Sequence, residues 1–162
     1  MRRFFVRHQP KQSLRAALIA GLGGMIAIAV VGAATVYLHA PLLIAPFGAT
    51  SVLLFSVPGS PLSQPINVIG GHIVAALVGL VLRHLLPNEW WAAALAVGVA
   101  IALMALLRVT HPPAGADPLV VFAADPNFGF LVLPVIVGAV TLVGVATVFH
   151  RCNGTTYPAH KA

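Results

Sequence analysis

His111 and Asp117 lie six residues apart in THPPAGADP, residues 110–118, between two of the most apolar runs of the chain. Free imidazole titrates near ~6.5, so His111 is a candidate to bind a solute or shuttle protons; the blander alternative is a loop histidine hydrogen-bonded to backbone. Asp117 precedes Pro118, a pairing that reads as a helix cap and first turn, yet an aspartate inside a membrane is costly enough to keep a functional role open. Arg108 offers positive charge to an anion, or snorkels from a helix end. Asn67 and His72 belong to another run, where Asn67, Gly71, Ala75 and Gly79 recur every four residues. That stripe suits close helix packing, and polar side chains in a span turn toward the protein interior. His39, His84 and His150 fall at the ends of apolar runs and read as interfacial.

Other chemistry finds little footing, and the chain does not read as an enzyme. The only carboxylates are Glu89, Asp117 and Asp125, with no spacing that pairs them for acid–base work, and no serine has an evident histidine–acid partnership. There is no HExxH, no cysteine pair and no carboxylate cluster, which argues against a metal, and no cofactor is implied. A phosphate-binding glycine loop followed by Lys-Ser or Lys-Thr is also missing, which speaks against ATP-driven transport by this chain alone. The single cysteine, Cys152, reads as an idle thiol and allows no intrachain disulfide.

The positions around these groups are those of a membrane protein. Of 162 residues, 59% are hydrophobic and 7% charged, and the mean hydropathy is +0.98, so the lipid bilayer is the expected partner. The net charge of +6 does not point to nucleic acid, because five of the nine basic residues, Arg2, Arg3, Arg7, Lys11 and Arg15, precede or open the first apolar run. They place residues 1–13 in the cytoplasm, with the chain in a plasma membrane, the inner membrane of a bacterium. Residues 152–162 form a short polar tail, and the whole of 1–162 reads as one domain.

Four runs read as long transmembrane helices: Ala16 to Leu38, too long for a secretion signal, then Ile66 to Leu86, Trp90 to Leu107 and Phe128 to Phe149. Trp90 and Trp91 mark an interface, and Arg83 and Arg151 can snorkel. Ser63 before Pro65 and Asp125 before Pro126 read as caps for the helices that follow. Two shorter segments, Pro41 to Val57 and His111 to Ala124, are broken, the first by Pro46 and Gly48, the second by Pro112, Pro113 and Gly115. Each restarts as a half-helix, capped by Thr50 and by Asp117. A shift of 67 residues carries Pro46, Gly48 and Thr50 onto Pro113, Gly115 and Asp117, and Gly71 onto Gly138. The fold expected is therefore all-α, two internal repeats of about 14–84 and 85–151, each a long helix, a broken or re-entrant segment and a long helix.

Paired interruptions in two halves point to a transport site, because non-helical backbone survives at membrane depth only where protein or a water-filled cavity satisfies it. Half-helix N-termini would supply N–H donors to a small anion. The motifs APFGATSVLLF, SPLSQPINVIGGH and THPPAGADPL, taken together over Leu14 to Arg151, resemble the HPP family of small integral membrane proteins, named for the His-Pro-Pro at His111 to Pro113. The resemblance implies four transmembrane helices and, from certain plant chloroplast and cyanobacterial members, nitrite as a transported solute. The function expected is passive or ion-coupled transport of a small solute, nitrite or a similar anion, by a chain that associates with copies of itself. The path would run past Pro46, Gly48, Thr50, Asn67, His72, Arg108, His111, Pro112, Pro113, Gly115 and Asp117. The other expectation is a non-transporting scaffold or accessory subunit, in which the breaks serve only tight packing and changes at Gly71 or Gly115 disrupt assembly.

Charge bias does not order the spans. If both broken segments re-enter, eight of nine basic residues lie inside with Arg108 the exception; if both cross, eight again lie inside, with Arg83 the exception and the repeats inverted. A cysteine placed at Ser60 decides between them: labelling from the cytoplasm requires six crossings, and labelling from outside excludes them.

Overall fold

The computed structural model describes residues 2–159; Met1 and residues 160–162 of the expected tail lie outside the described residues. Six α-helices follow in order: α1 (Leu14–Tyr37), α2 (Ala45–Ser56), α3 (Pro65–Leu85), α4 (Trp90–Leu106), α5 (Asp117–Ala124) and α6 (Val137–Cys152). Among the described residues there is no strand. Three stretches are long and apolar enough to cross a membrane, Leu14–Tyr37, Pro65–Leu85 and Phe128–Cys152, while α4 is apolar but shorter. The chain is an all-helical integral membrane protein.

The interruptions and caps differ from the sequence reading in five places. Residues Ala45 to Ser56 form one helix, with Pro46 in its first turn, where the missing N–H would have had no partner. Thr50 therefore sits mid-helix and caps nothing. In the second segment the 3₁₀ helix Pro112–Ala116 leads directly into α5, and the Asp117 side chain makes no cap hydrogen bond. Asp125 ends α5 in the left-handed region (φ 46°) instead of starting the next helix, and Asn127 takes over as the side-chain cap of the 3₁₀ turn Phe128–Leu131. Ser63 likewise is no cap: its hydroxyl donates to the carbonyls of Leu53 and Val57. The last apolar run is also divided, because Leu133, forced out of the helical region before Pro134, is extended (φ −123°, ψ 114°).

Contacts between elements set the direction of each. Gly23 near the start of α1 packs against Phe55 and Phe149, at the ends of α2 and α6. His150 donates to the Leu54 carbonyl, and Tyr157 donates to the carbonyl of Ser63, just before α3. These groups share one end of the bundle, here the lower. At the upper end Arg83 pairs with Asp125 at 2.7 Å, and His84 meets Phe128 edge-on. The end of α4 returns downward to α3, where Val109 covers Gly70, and α5 climbs from Asp117 to Asp125. Successive helices thus alternate in direction, including the two short ones.

The core has two parts, one of α1, α2 and α6 around Phe47, Leu54 and Leu142, the other of α3, α4 and α5 around Ala75, Ala96 and Phe122. Glycine seams tie the first and second halves of the sequence crosswise, one seam within each part. A Cβ at Gly71 on α3 would stand 2.7 Å from the Cβ of His111 and 3.0 Å from the Val109 carbonyl, and one at Gly138, in the first turn of α6, would strike the Phe47 ring. Gly71 needs glycine because backbone approaches closer than a side chain allows, and Gly138 because the Phe47 ring fills the place of a Cβ. The tail closes the lower end: Tyr157 is buried, burial pushes its phenol above the ordinary value, and the retained proton serves the Ser63 carbonyl. His150, read as interfacial, is instead buried and stacked on Phe55.

Gly71→Val is expected to broaden or abolish the monodisperse peak in size-exclusion chromatography of detergent-solubilised protein. Gly115→Ala is expected to keep it, since nothing lies within 4 Å of a Cβ there; the sequence reading had given both glycines the same part in assembly.

Candidate functional site

Four hydroxyls in the α-helices serve their own helix. Thr35, Ser51, Thr141 and Thr147 each donate to the carbonyl four residues back. Thr50 instead turns its Oγ1 out of α2 and meets two imidazoles, Nε2 of His72 at 2.8 Å and Nε2 of His111 at 3.0 Å. The far nitrogen of His72 lies 2.8 Å from Asp117 Oδ2, and that of His111 donates to the Leu62 carbonyl at 2.8 Å. The result is one continuous chain of contacts, Asp117–His72–Thr50–His111–Leu62. Thr50, His72, His111 and Asp117 are all 0% exposed.

Each member is placed by a different element. His72 projects from the second turn of α3, next to Gly71, whose lack of a side chain lets the His111 backbone lie against the helix. His111 ends the extended approach to the 3₁₀ helix, and Asn67 Nδ2 pins that approach by donating to the Thr110 carbonyl at 3.0 Å. Asp117 opens α5, where the helix dipole favours a negative charge. Phe47 sits edge-on to the His72 ring with centroids 5.3 Å apart, closing the apolar side. The outer oxygen of Asp117, Oδ1, is buried with no hydrogen-bond partner.

The sequence-derived candidates divide sharply. Thr50, His72, His111 and Asp117 meet, with Asn67 one step behind; Pro46 and Pro113 are buried alongside, while Gly48 and Pro112 are exposed and Gly115 half-buried. Arg108 is exposed, has left-handed backbone (φ 60°) after α4, and stands apart from the cluster. Leu62 was not foreseen, because a carbonyl acceptor leaves no mark in residue type. His111 is hydrogen-bonded to backbone through Nδ1, as the blander reading had it, and its other nitrogen meets Thr50. The N-terminus of α5 carries its own carboxylate, so it is not the vacant donor cradle expected for an anion.

All four ring nitrogens of His72 and His111 are engaged within the protein. The arrangement can hold and pass protons. It also collects the sequence motifs: Thr50 from APFGATSVLLF, Leu62, Asn67 and His72 from SPLSQPINVIGGH, His111 and Asp117 from THPPAGADPL. The sequence model of the HPP transmembrane region matches residues 9–158. The chain belongs to the HPP transmembrane family. Two transmembrane proteins of Dictyostelium discoideum are similar to it. One is 38% identical over 127 residues, covering 73% of this chain and 45% of the relative. The other is 38% identical over 117 residues, covering 67% and 38%. This HPP chain thus spans less than half the length of the curated relatives it matches. No solved structure matches it.

Removing Asp117 leaves His72 buried with an unpaired ring nitrogen, and losing one partner of such a pair costs about 3 kcal/mol or more. Asp117→Ala in the HPP chain is therefore expected to lower the midpoint of thermal unfolding in detergent clearly, and Asp125→Ala, which breaks only the exposed Arg83 pair, to shift it far less. Fluorescence-detected thermal unfolding of the two variants checks the order.

Proposed function

We propose that this HPP protein is a transporter that carries a small solute through the membrane, coupled to an ion, with nitrite or a similar small anion the first solute to test. The observation that supports this reading is the buried Asp117–His72–Thr50–His111 chain at the meeting of α2, α3 and the His111–Asp117 segment. Ionisable groups are expensive at membrane depth and mark solute and proton paths. A packing scaffold needs the glycine seams alone, and the outward turn of the Thr50 hydroxyl contributes nothing to those.

The architecture fits an inverted pair of repeats, each of three crossings, α1–α3 and α4–α6. Thr50 and Asp117, equivalent under the 67-residue shift, hold the two nitrogens of the same imidazole. The shift-related glycines Gly71 and Gly138 each pack on the short segment of the opposite half. Under the charge rule the lower end, with the N-terminus, Arg108 and Arg151, faces the cytoplasm. An open groove of about 950 Å³ between α1 and α2, with Gln9 and Gln12 at its mouth, reaches Ser51 on the other face of α2, so α2 is the wall between that groove and the histidines. An ionised Asp117 repels an approaching anion, which makes proton coupling the natural ion coupling for such a solute.

Proteoliposomes holding the purified chain are expected to take up nitrite faster than empty vesicles. His72→Ala is expected to slow the flux by about tenfold, the scale of one buried hydrogen bond, and Arg108→Ala to leave it near wild type. No flux above empty vesicles for nitrite and a panel of other small anions and neutral solutes ends the transport reading.

A further inference from the structure

The four contacts of the cluster fix its proton count. The Leu62 carbonyl can only accept, so His111 Nδ1 carries hydrogen. Thr50 has one hydroxyl proton and can donate to one of the two Nε2 atoms; the other must donate to Thr50. If Thr50 donates to His111, His72 carries hydrogen on Nε2, and its Nδ1 either donates to an ionised Asp117 or accepts from a protonated one. If Thr50 donates to His72, His111 carries hydrogen on both nitrogens and His72 donates to an ionised Asp117. Every arrangement that satisfies all four contacts has net charge zero. An ionised Asp117 beside two neutral imidazoles, net charge −1, always sets two lone pairs against each other at one of the contacts.

We propose that the cluster is a proton-binding relay, holding one proton that moves between Asp117 and His111 through His72 and the Thr50 hydroxyl. The transfer balances as two coupled hops. The proton on His72 Nε2 passes to Thr50 Oγ1 as the hydroxyl proton passes to His111 Nε2; Thr50 emerges neutral with its hydrogen pointing the other way. Asp117 then remains ionised against neutral His72, and the positive charge stands on His111. The unpartnered Asp117 Oδ1 is the open terminus where a proton donor can dock. Other titratable groups stay outside the relay: α2 and α4 have none, α5 has only Asp117, Arg83 on α3 pairs with Asp125, and His150 on α6 serves Leu54. This relay deepens the transport reading and rests on it for its role, though not for its existence.

The test uses the full chain in lipid bilayers with ¹⁵N-labelled histidine. Magic-angle-spinning NMR, assigned with His72→Gln and His111→Gln, reports the protonation of each ring at neutral pH. Infrared difference against Asp117→Asn reports a carboxylic acid. The expected result is one proton in total, seen as an imidazolium at His72 or His111 or as a protonated Asp117. Thr50→Ser is expected to keep the wild-type pattern and Thr50→Val to confine the proton to the His72–Asp117 pair. An ionised Asp117 with two neutral imidazoles in the wild type overturns the relay. In parallel, vesicles with an internal pH dye follow proton movement during solute uptake. Uptake without proton movement, together with that ionised and neutral pattern, sinks the relay and leaves transport standing. A confirmed bound proton with no uptake of any solute sinks transport and leaves the relay standing.

Discussion

Both nitrogens of one imidazole are held by elements other than its own helix, and most of the bundle is arranged to keep them so. In hydrocarbon a polar group has no water to fall back on, so His72 on α3 needs partners brought from elsewhere in the chain. One comes from the middle of α2 and the other from the first residue of α5. Holding these at 2.8 Å requires α5 to begin at mid-depth, which requires the Pro112–Ala116 turn, which in turn requires backbone to lie directly on Gly71. The ring therefore ties a glycine, a proline-rich turn and two short helices into one constraint.

That dependence explains why the short helices are short. Had α5 continued the direction of α4, its first carboxylate would have pointed into lipid. Starting afresh at Asp117 places the acid at the favourable end of a new dipole and beside its base at the same time. On the other side Thr50 needs no break at all: a hydroxyl midway along α2 reaches outward from a regular helix. Thr50 and Asp117, which a shift of 67 residues superposes in the sequence, reach the same ring by different local means.

Much of this could be read from residue types. The apolar runs and the proline and glycine clusters marked where the six α-helices lie and brought Thr50, His72, His111 and Asp117 forward as candidates. What stayed hidden were directions and partners. Pro46 marks a first turn as readily as a break, so α2 was divided where it is whole. Asp117 before Pro118 has the outward form of a cap, and only the fold shows that its carboxylate turns to His72. Pro134 signalled the division of the last run, but an apolar stretch long enough to span hid it. Leu62 and Leu54 act through carbonyl oxygens, which every residue has, so no pattern of side chains distinguishes them.

The crosswise glycine seams bear on how the chain is made. Residues of α1 to α3 leave the ribosome first, and in that interval His72 has Thr50 but neither Asp117 nor His111, while Gly71 faces a gap where backbone will later lie. The nascent half carries an imidazole with an unmet nitrogen in the bilayer and a bare groove along α3. Phe47 waits in the same way for Gly138, which is made later. The first half alone leaves these contacts unmade, so the packing of the bundle is complete only when the second half lays its turn against the first.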